Sequence, residues 1–269
     1  PGGRAQSSSA LRLVAERRTL DIAGKAASVF AIRQSNGAPG VTLDPGQRFF
    51  VGLENRTEQP TIIHWHGQTP PVRQDGVADT GLEALIAPGG NQAYDFEPRA
   101  GTHWMHSHHG LQEQILMGAP LIVRTADDLR VDAQEVVVLL HDFTFRSPDE
   151  ILAELTKSGT TMDHGRMAGM DMSGGSMPGM GTTHPSMATM PTASSAGKPT
   201  TGMVMDLNDI DFDAYLANDR TLDDPLVVRT ERSGRVRLRL INGAASTAFW
   251  IDLGALDGTI VAVDGDPVQ

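Results

Sequence analysis

The feature that most constrains the fold is a succession of short apolar segments separated by glycine- and proline-rich turns. Residues 47–57 (QRFFVGLENRT), 61–67 (TIIHWHG), 91–98 (NQAYDFEP), 101–108 (GTHWMHSH) and 118–125 (GAPLIVRT) have the length and the β-branched or alternating character of strands. The turns PGQ, PGG and RAG lie between them. Strands at this spacing predict an all-β sandwich or barrel.

A second strand-rich block follows. Residues 134–145 (QEVVVLLHDFTF) predict a strand, and Ser147, Pro148 and Glu150 have the chemistry of a helix start over residues 147–155. The segments AFWIDLG and TIVAVDGDPVQ predict further strands near the end of the sequence.

Residues 234–247 (GRVRLRLINGAAST) alternate between apolar and basic side chains, with a turn at Asn242-Gly243. In a strand, successive side chains leave opposite faces. Three apolar residues therefore share one face and three arginines share the other: Val236, Leu238 and Leu240, against Arg235, Arg237 and Arg239. We interpret the arginine face as the solvated one.

Ten of the twelve methionines lie between Met162 and Met205, among Gly, Ser, Thr and Pro. Such a composition builds no core and predicts a flexible insert at about 157–205. One interpretation is a surface linker. The other is a loop that collects Cu(I), because thioethers are soft ligands that select this ion, with His164 and His184 as further ligands.

Histidines are concentrated in two short segments. The run HWMHSHHG (103–110) holds four of the nine histidines in the sequence. His64 and His66 are two residues apart on a predicted strand, so their side chains share a face, and His106 and His108 repeat this spacing. Two such strands side by side would direct four imidazoles into one space, which predicts a metal site. Imidazole alone suits Zn, Cu, Fe and Ni, and the methionine insert favours copper.

Composition excludes several other classes. The formal net charge of −11 argues against a nucleic acid as partner. No stretch approaches 18 uninterrupted apolar residues, so no membrane span is expected. The N-terminal residues lack the apolar middle of a signal peptide. The sequence has no cysteine, which excludes a disulfide or a thiolate metal site within it.

Several motifs resemble those of a known family. HWHG at 64–67 and HSH at 106–108 resemble the first two copper motifs of the multicopper oxidases, the laccase and copper-resistance oxidase family. The flanking segments QDGVADT, IAPGG and GLQEQILMGAPLIV are similar as well. The likeness extends through FDAYLANDRTLDDP and VRLRLINGAASTAFWIDLG. The methionine-rich insert is similar to that of bacterial periplasmic copper oxidases.

The resemblance implies a fold and a location. Members of the family are built from cupredoxin domains, which are Greek-key β-sandwiches. We therefore expect one such domain at 1–125, carrying both histidine motifs, and a second, incomplete one at 126–269. A periplasmic or secreted location is the corresponding expectation.

The resemblance also implies roles for individual residues. His64 would bind the type-2 copper, and His66, His106 and His108 would bind the type-3 pair of a trinuclear cluster. Such a cluster reduces dioxygen to water with electrons from Cu(I) or a phenol. Asp75 would be an acid that relays protons near the type-2 copper. The alternative interpretation of Asp75 is a turn residue in an Asp-Gly pair.

The sequence departs from the family in one important respect. The later family motifs, which contain the type-1 copper cysteine and the other four cluster histidines, are not found in these 269 residues. We therefore expect the chain alone to bind copper without oxidase activity and to depend on a C-terminal cupredoxin domain. The alternative function is a periplasmic copper-sequestering protein without turnover.

The remaining histidines and two tryptophans have plainer interpretations. For His103 we expect strand packing or an outer position beside the ligands, with direct ligation as the alternative. His109 is expected to be exposed or in such an outer position, and His141 to be a core or rim histidine whose hydrogen-bonding groups are satisfied. Trp65 and Trp104 are expected to pack beside the cluster.

Overall fold

A computed structural model of the chain describes residues 10–159 and 210–268, which form an all-β architecture with two α-helices. The thirteen strands are β1 (Leu11–Ile22), β2 (Lys25–Gln34), β3 (Val41–Leu43), β4 (Phe49–Asn55), β5 (Ile63–His66), β6 (Asn91–Phe96), β7 (Gly101–Ser107), β8 (Gly118–Val123), β9 (Gln134–Phe143), β10 (Ala214–Ala217), β11 (Val236–Asn242), β12 (Ala262–Val263) and β13 (Asp266–Pro267). The helices are α1 (Ala126–Arg130) and α2 (Pro148–Gly159). The predicted all-β class is confirmed.

Two four-stranded sheets enclose the main core. Their strand orders are β2-β1-β4-β6 and β3-β8-β7-β5. Alternate residues of every strand point inward, as the period of two requires, and form one apolar cluster. Phe49, Trp65 and Tyr94 are its aromatic centre, with the Trp65 ring 4.7 Å from Phe49 and 4.8 Å from Tyr94. This sandwich holds β5 and β7, the two histidine-bearing strands, side by side.

A third sheet, of order β10-β9-β11, packs beside this sandwich. β9 pairs antiparallel with β10 and parallel with β11. A small buried cluster of Ile122, Leu139 and Ile241 connects β8 to this sheet. Of the two predicted terminal strands, residues 248–254 form none. In the other, the described residues 259–268 contribute only the two-residue strands β12 and β13. Trp250 is fully exposed, so this segment lacks the buried face that stabilises a strand.

The arginine side of β11 is not the solvated one. Arg239 is 7% exposed, whereas Leu238 and Leu240 are 40% and 42% exposed. The alternation is as predicted, but the faces are reversed, because the arginines meet acidic partners. The Arg239 guanidinium donates to Glu135 on β9, and Arg237 pairs with Asp128 on α1. Arg235, at the strand's start, does remain exposed.

The arginines of this ion network also lower the pKa of Glu135. Burial alone would raise the pKa of Glu135, but hydrogen bonds from Arg239 and Arg124 outweigh burial and lower it. Arg239 also donates to Thr102 Oγ1 at 2.9 Å. Since Thr102 lies on β7, the network links the third sheet to the strand that carries His106.

The helices are short and locally specified. Thr125 caps α1 through a capping box with Asp128. α2 begins at Pro148, as predicted, and runs to Gly159, so the first residues of the expected insert are helical and residues 160–205 lie outside the described part. In residues 10–159 and 210–268, no helix has the length and apolar character to cross a bilayer.

The chain divides into two compact units, residues 1–151 with 210–269 and residues 152–209. All thirteen strands belong to the first unit. Of the second unit, the structure describes only the end of α2.

Candidate metal centre

The histidine cluster is built by the pairing of β5 with β7. These strands are antiparallel, and the register places His64 opposite His106 and Trp65 opposite Met105. Trp65 and Met105 are fully buried in the sandwich core. Because side chains alternate, the histidines of both strands must leave the opposite face. The H-x-H spacing therefore produces a shared imidazole surface.

Four imidazole rings come together on this surface. The ring of His64 lies 5.7 Å from His66, 5.5 Å from His106 and 5.8 Å from His108, centroid to centroid. One ring nitrogen from each of His64, His66 and His106 lies within 4.8 Å of the others. His66 Nδ1 and His106 Nε2 are 3.4 Å apart. His108 is exposed and borders this group of three nitrogens.

His64 is oriented by the turn that follows β5. Its Nδ1 lies 2.7 Å from the main-chain carbonyl oxygen of Asp75. A carbonyl oxygen only accepts, so Nδ1 carries the proton and Nε2 keeps its lone pair for another partner. The Asp75 carboxylate lies 3.6 Å from the same Nδ1. Asp75 is thus at the cluster, both as the turn residue and as a nearby acid.

His106 is held by Glu113. The Glu113 carboxylate lies 2.8 Å from His106 Nδ1, and the carbonyl oxygen of Ser107 lies 3.1 Å from it. Trp104 stacks on the His106 ring with centroids 4.3 Å apart and planes inclined by 21°. Glu113 was not predicted from the sequence. Its only sequence signal is its place five residues past the second motif, in the GLQEQ segment.

Gln112 fixes the loop that carries Glu113. Its side chain is buried, and its Oε1 accepts from Thr61 at 2.8 Å and from Ser107 at 2.7 Å. Its Nε2 donates to the Pro60 carbonyl at 2.9 Å. Since Thr61 lies two residues before β5 and Ser107 ends β7, the Gln112 amide ties the loop to the ends of both histidine strands.

The electrostatics favour neutral imidazoles. Burial lowers the pKa of His64, and burial together with the neighbouring His106 and His64 lowers the pKa of His66. A metal binds only the deprotonated nitrogen, so neutral rings at neutral pH are ready to coordinate. Three imidazole nitrogens converge, and two of the rings, His64 and His106, have an outer hydrogen-bond partner. This donor set fits copper, as it fits the other metals that imidazole binds.

Among the described residues, the remaining histidines and the two tryptophans considered in the sequence lie outside the group of three converging ring nitrogens. His103 is buried on the opposite face of β7, with Nε2 3.2 Å from the Ala100 carbonyl, which is strand packing as expected. His109 is half-buried. His141 is a buried histidine of β9, as predicted, but its Nδ1 has no hydrogen-bond partner in the described residues, so it is not satisfied as predicted. Burial lowers its pKa to about 4. Trp104 packs on the cluster, but Trp65 lies in the core, so its predicted place beside the cluster was wrong.

Fold and site together define a β-sandwich protein with a histidine cluster that could hold a metal ion. The family model described as multicopper oxidase matches residues 14–128. Copper resistance protein A of Pseudomonas syringae pv. tomato is 31% identical over 93% of this chain and 41% of its own length. Multicopper oxidase MmcO of Mycobacterium tuberculosis is 28% identical over 93% of this chain and 45% of its own length.

A solved structure shows the same fold. The blue copper oxidase from Nitrosomonas europaea is 22% identical, with a TM-score of 0.55 over 87% of this chain and 60% of that chain. This likeness confirms the cupredoxin-like sandwich predicted from the sequence. Residues 14–128 therefore form a domain of the multicopper oxidase family, and the chain is similar to members of that family over 93% of its length. It spans about two fifths of the length of the curated relatives described above.

Proposed function

We propose that this chain is the copper-binding N-terminal part of a multicopper oxidase, either laccase-like or acting on Cu(I). His64, His66, His106 and His108 would supply half the ligands of a trinuclear copper cluster. The observation that carries this proposal is the convergence of three ring nitrogens within 4.8 Å on one face of β5 and β7. When bound, such a cluster accepts electrons and passes them to dioxygen, which becomes water.

Roles of the individual residues follow from their positions. His64, which contacts the Asp75 carbonyl, is proposed for the type-2 copper, and His66, His106 and His108 for the type-3 pair. The Asp75 carboxylate is one-third exposed and lies 3.6 Å from His64 Nδ1. This exposure and this distance support the proposal that Asp75 passes protons from solvent toward oxygen.

The proposed whole protein contains more than these residues. We propose a first cupredoxin domain at 1–125 and a second at 126–269, with a further C-terminal cupredoxin domain as partner. That partner would hold the type-1 copper, because the present sequence has no cysteine. Its reductant would be Cu(I) or a phenol. The name of one relative, copper resistance protein A, supports a role in copper handling. A periplasmic or secreted location is proposed from the family resemblance.

The methionine-rich insert is proposed to collect Cu(I). Several weak thioether ligands on one tether raise the effective ligand concentration around a soft ion. We expect deletion of residues 162–205 to lower the Cu(I) stoichiometry in an anaerobic titration against a chelator, with little change for Zn(II). Equal Cu(I) stoichiometry in the intact and shortened chains would favour the linker interpretation.

Copper loading of the chain tests the histidine site. We expect the apo-chain to retain copper after desalting and to lose affinity when His64, His66, His106 or His108 is replaced by Ala. His109→Ala is the matched control, because this half-buried histidine follows the motif directly and lies outside the nitrogen group. Equal loss in the control and the four variants would contradict the proposed ligand set.

Dioxygen consumption separates the two functions that the sequence suggests. With a phenol or Cu(I) as reductant, we expect no turnover by the 269-residue chain alone, and turnover once a C-terminal cupredoxin domain is supplied. The alternative, a non-catalytic copper-sequestering protein, predicts copper binding without turnover in both cases. Turnover by the 269 residues alone would contradict the proposal that they supply only half the cluster.

A further inference from the structure

The turn at Gln74–Gly76 is tied to β5 through two consecutive side chains. The Trp65 indole donates to the Gln74 carbonyl at 3.0 Å, and the His64 imidazole donates to the Asp75 carbonyl at 2.7 Å. The orientation of His64 thus depends on where this turn lies. Whatever holds the turn also holds the imidazole.

Gly76 allows the turn to approach β5 closely. Its φ is +76°, and a Cβ at this position would lie 1.8 Å from the carbonyl oxygen of Ile63. Only glycine tolerates such a backbone-to-backbone approach. The turn therefore rests on the strand at the residue immediately before His64.

A third attachment to the turn comes from Glu83. Glu83 is 8% exposed. Its Oε2 accepts from the Gly76 amide at 2.6 Å, and its Oε1 accepts from Gln92 Nε2 at 2.8 Å. The buried Tyr94 hydroxyl lies near this carboxylate without a hydrogen bond of standard geometry. These donors are all uncharged. A carboxylate is costly to bury beside neutral partners, and burial raises the pKa of Glu83.

We propose that Glu83 is a positioning residue for His64: it holds the Asp75–Gly76 turn against β5, so that the Asp75 carbonyl keeps the proton on His64 Nδ1 and directs Nε2 into the cluster. The inference rests on the proposed function of His64 as a copper ligand. Successive hydrogen bonds connect Gln92 on β6 to Glu83, Glu83 to the turn, and the turn to the His64 imidazole. Outer partners of this kind set the orientation of metal-binding histidines.

The side chain at position 83 must accept a hydrogen bond. In Glu83→Gln, the amide oxygen still accepts from Gly76, and the Gln92 amide can turn over to accept from the new amino group. In Glu83→Leu, the buried Gly76 amide loses its acceptor. Glu83→Gln should therefore keep the turn and His64 in place, whereas Glu83→Leu should not. Glu97→Leu, which removes an exposed carboxylate from the same region, is the control.

The tautomer of His64 in the metal-free chain is the first readout. Long-range ¹H–¹⁵N correlation at pH 7.5, assigned with His64→Gln, should show the Nδ1–H tautomer in wild type, Glu83→Gln and Glu97→Leu. In Glu83→Leu we expect a mixture of both tautomers. An unchanged Nδ1–H tautomer in a folded Glu83→Leu variant would overturn the inference.

Two further measurements complete the test. Copper affinity should fall about tenfold in Glu83→Leu and stay near wild type in Glu83→Gln. If Glu83→Leu does not fold, hydrogen exchange of the wild-type Gly76 amide decides, and we expect it to be slowed on the order of a hundredfold. A fast-exchanging Gly76 amide would overturn the inference.

The two proposals fail in different ways. If His64→Ala leaves copper affinity unchanged, the proposed function of His64 fails, whatever the tautomer shows. If His64→Ala weakens copper binding but Glu83→Leu changes neither tautomer nor affinity, only the positioning role of Glu83 fails.

Discussion

The carboxylate of Glu113 lies 2.8 Å from Nδ1 of His106, on the side of the imidazole away from the histidine cluster. His64 has an analogous outer contact, but with the Asp75 main-chain carbonyl. Each outer contact leaves Nε2 available to the cluster. A carboxylate partner makes an imidazole a stronger ligand than a carbonyl partner does, because its charge is complementary to the ring N–H.

This contact predicts that Glu113 contributes to copper affinity. In Glu113→Ala we expect a loss of about tenfold, because the ring loses its charged partner and keeps only the Ser107 carbonyl. Glu113→Gln should lose less, since its amide oxygen still accepts from Nδ1. Competition against a chelator measures both, with Glu97→Ala as the exposed-carboxylate control. Wild-type affinity in Glu113→Ala would show that the Ser107 carbonyl suffices.

The histidine surface could be predicted from the sequence because it depends on a local rule. A spacing of two residues places His64 with His66 and His106 with His108 on one strand face, whatever the rest of the chain does. Glu113 and Glu83 were not predicted, because their contacts depend on the conformation of the loops that carry or meet them. A 3-10 helix at Glu113–Ile115 and a turn at Gln74–Gly76 carry these contacts, and neither has a periodic pattern.

The fold, like the site, could be predicted only where a local sequence pattern determines it. Apolar, β-branched or alternating segments predicted β4 to β9, and alternation predicted β11. Alternation identifies the two faces of a strand without saying which is buried. On β11 the arginine face is the buried one, because Glu135 and Asp128 lie opposite it. Those acids come from β9 and α1, about a hundred residues earlier in the chain. The long hairpin of β1 and β2 was not predicted.

Arg239 is predicted to be important for stability. Arg239→Met would leave the partly buried carboxylates of Glu135 and Asp128 with fewer partners, and we expect the free energy of unfolding to fall by about 3 kcal/mol. Arg235→Met, at the exposed residue immediately before β11, should change it by less than about 0.5 kcal/mol. Urea unfolding of both variants measures the difference. Similar values would mean that the network contributes no more than a surface charge.

Gly76 is predicted to tolerate no side chain. In Gly76→Ala the new methyl group would overlap the Ile63 carbonyl, so the turn must move from β5, and we expect a loss above about 3 kcal/mol or failure to fold. Gly81 also has a positive φ, of +69°, but open space around its Cβ position. Gly81→Ala should therefore cost only the left-handed backbone penalty, about 1 kcal/mol. Equal thermal stability of the two variants would contradict the close approach.

His141 predicts how stability depends on pH. Burial, opposed in part by Asp219 and Asp142, lowers its pKa from 6.5 to about 4. Above pH 6.5 the imidazole is neutral in both the folded and the unfolded chain, so it adds no pH dependence. As the pH falls from 6.5 toward 4, the unfolded chain binds a proton at this residue and the folded chain does not. The folded state is therefore progressively disfavoured.

Replacing His141 should remove this part of the acid sensitivity. The loss attributed to His141 is about 1.4 kcal/mol per pH unit within that window, or on the order of 3 kcal/mol across it. His141→Leu also removes an Nδ1 atom that is buried without a hydrogen-bond partner in the described structure. Urea unfolding at several pH values between 7.5 and 4.5 gives the free energy of unfolding of wild type and variant as a function of pH. We expect the variant to lose stability more slowly as the pH falls, so that the pH-dependent difference between the two curves is smallest at neutral pH and largest at acid pH. Carboxylates titrate in both proteins and cancel in the difference. Parallel curves would mean that His141 binds its proton equally in the folded and unfolded chains, which its burial on β9 argues against.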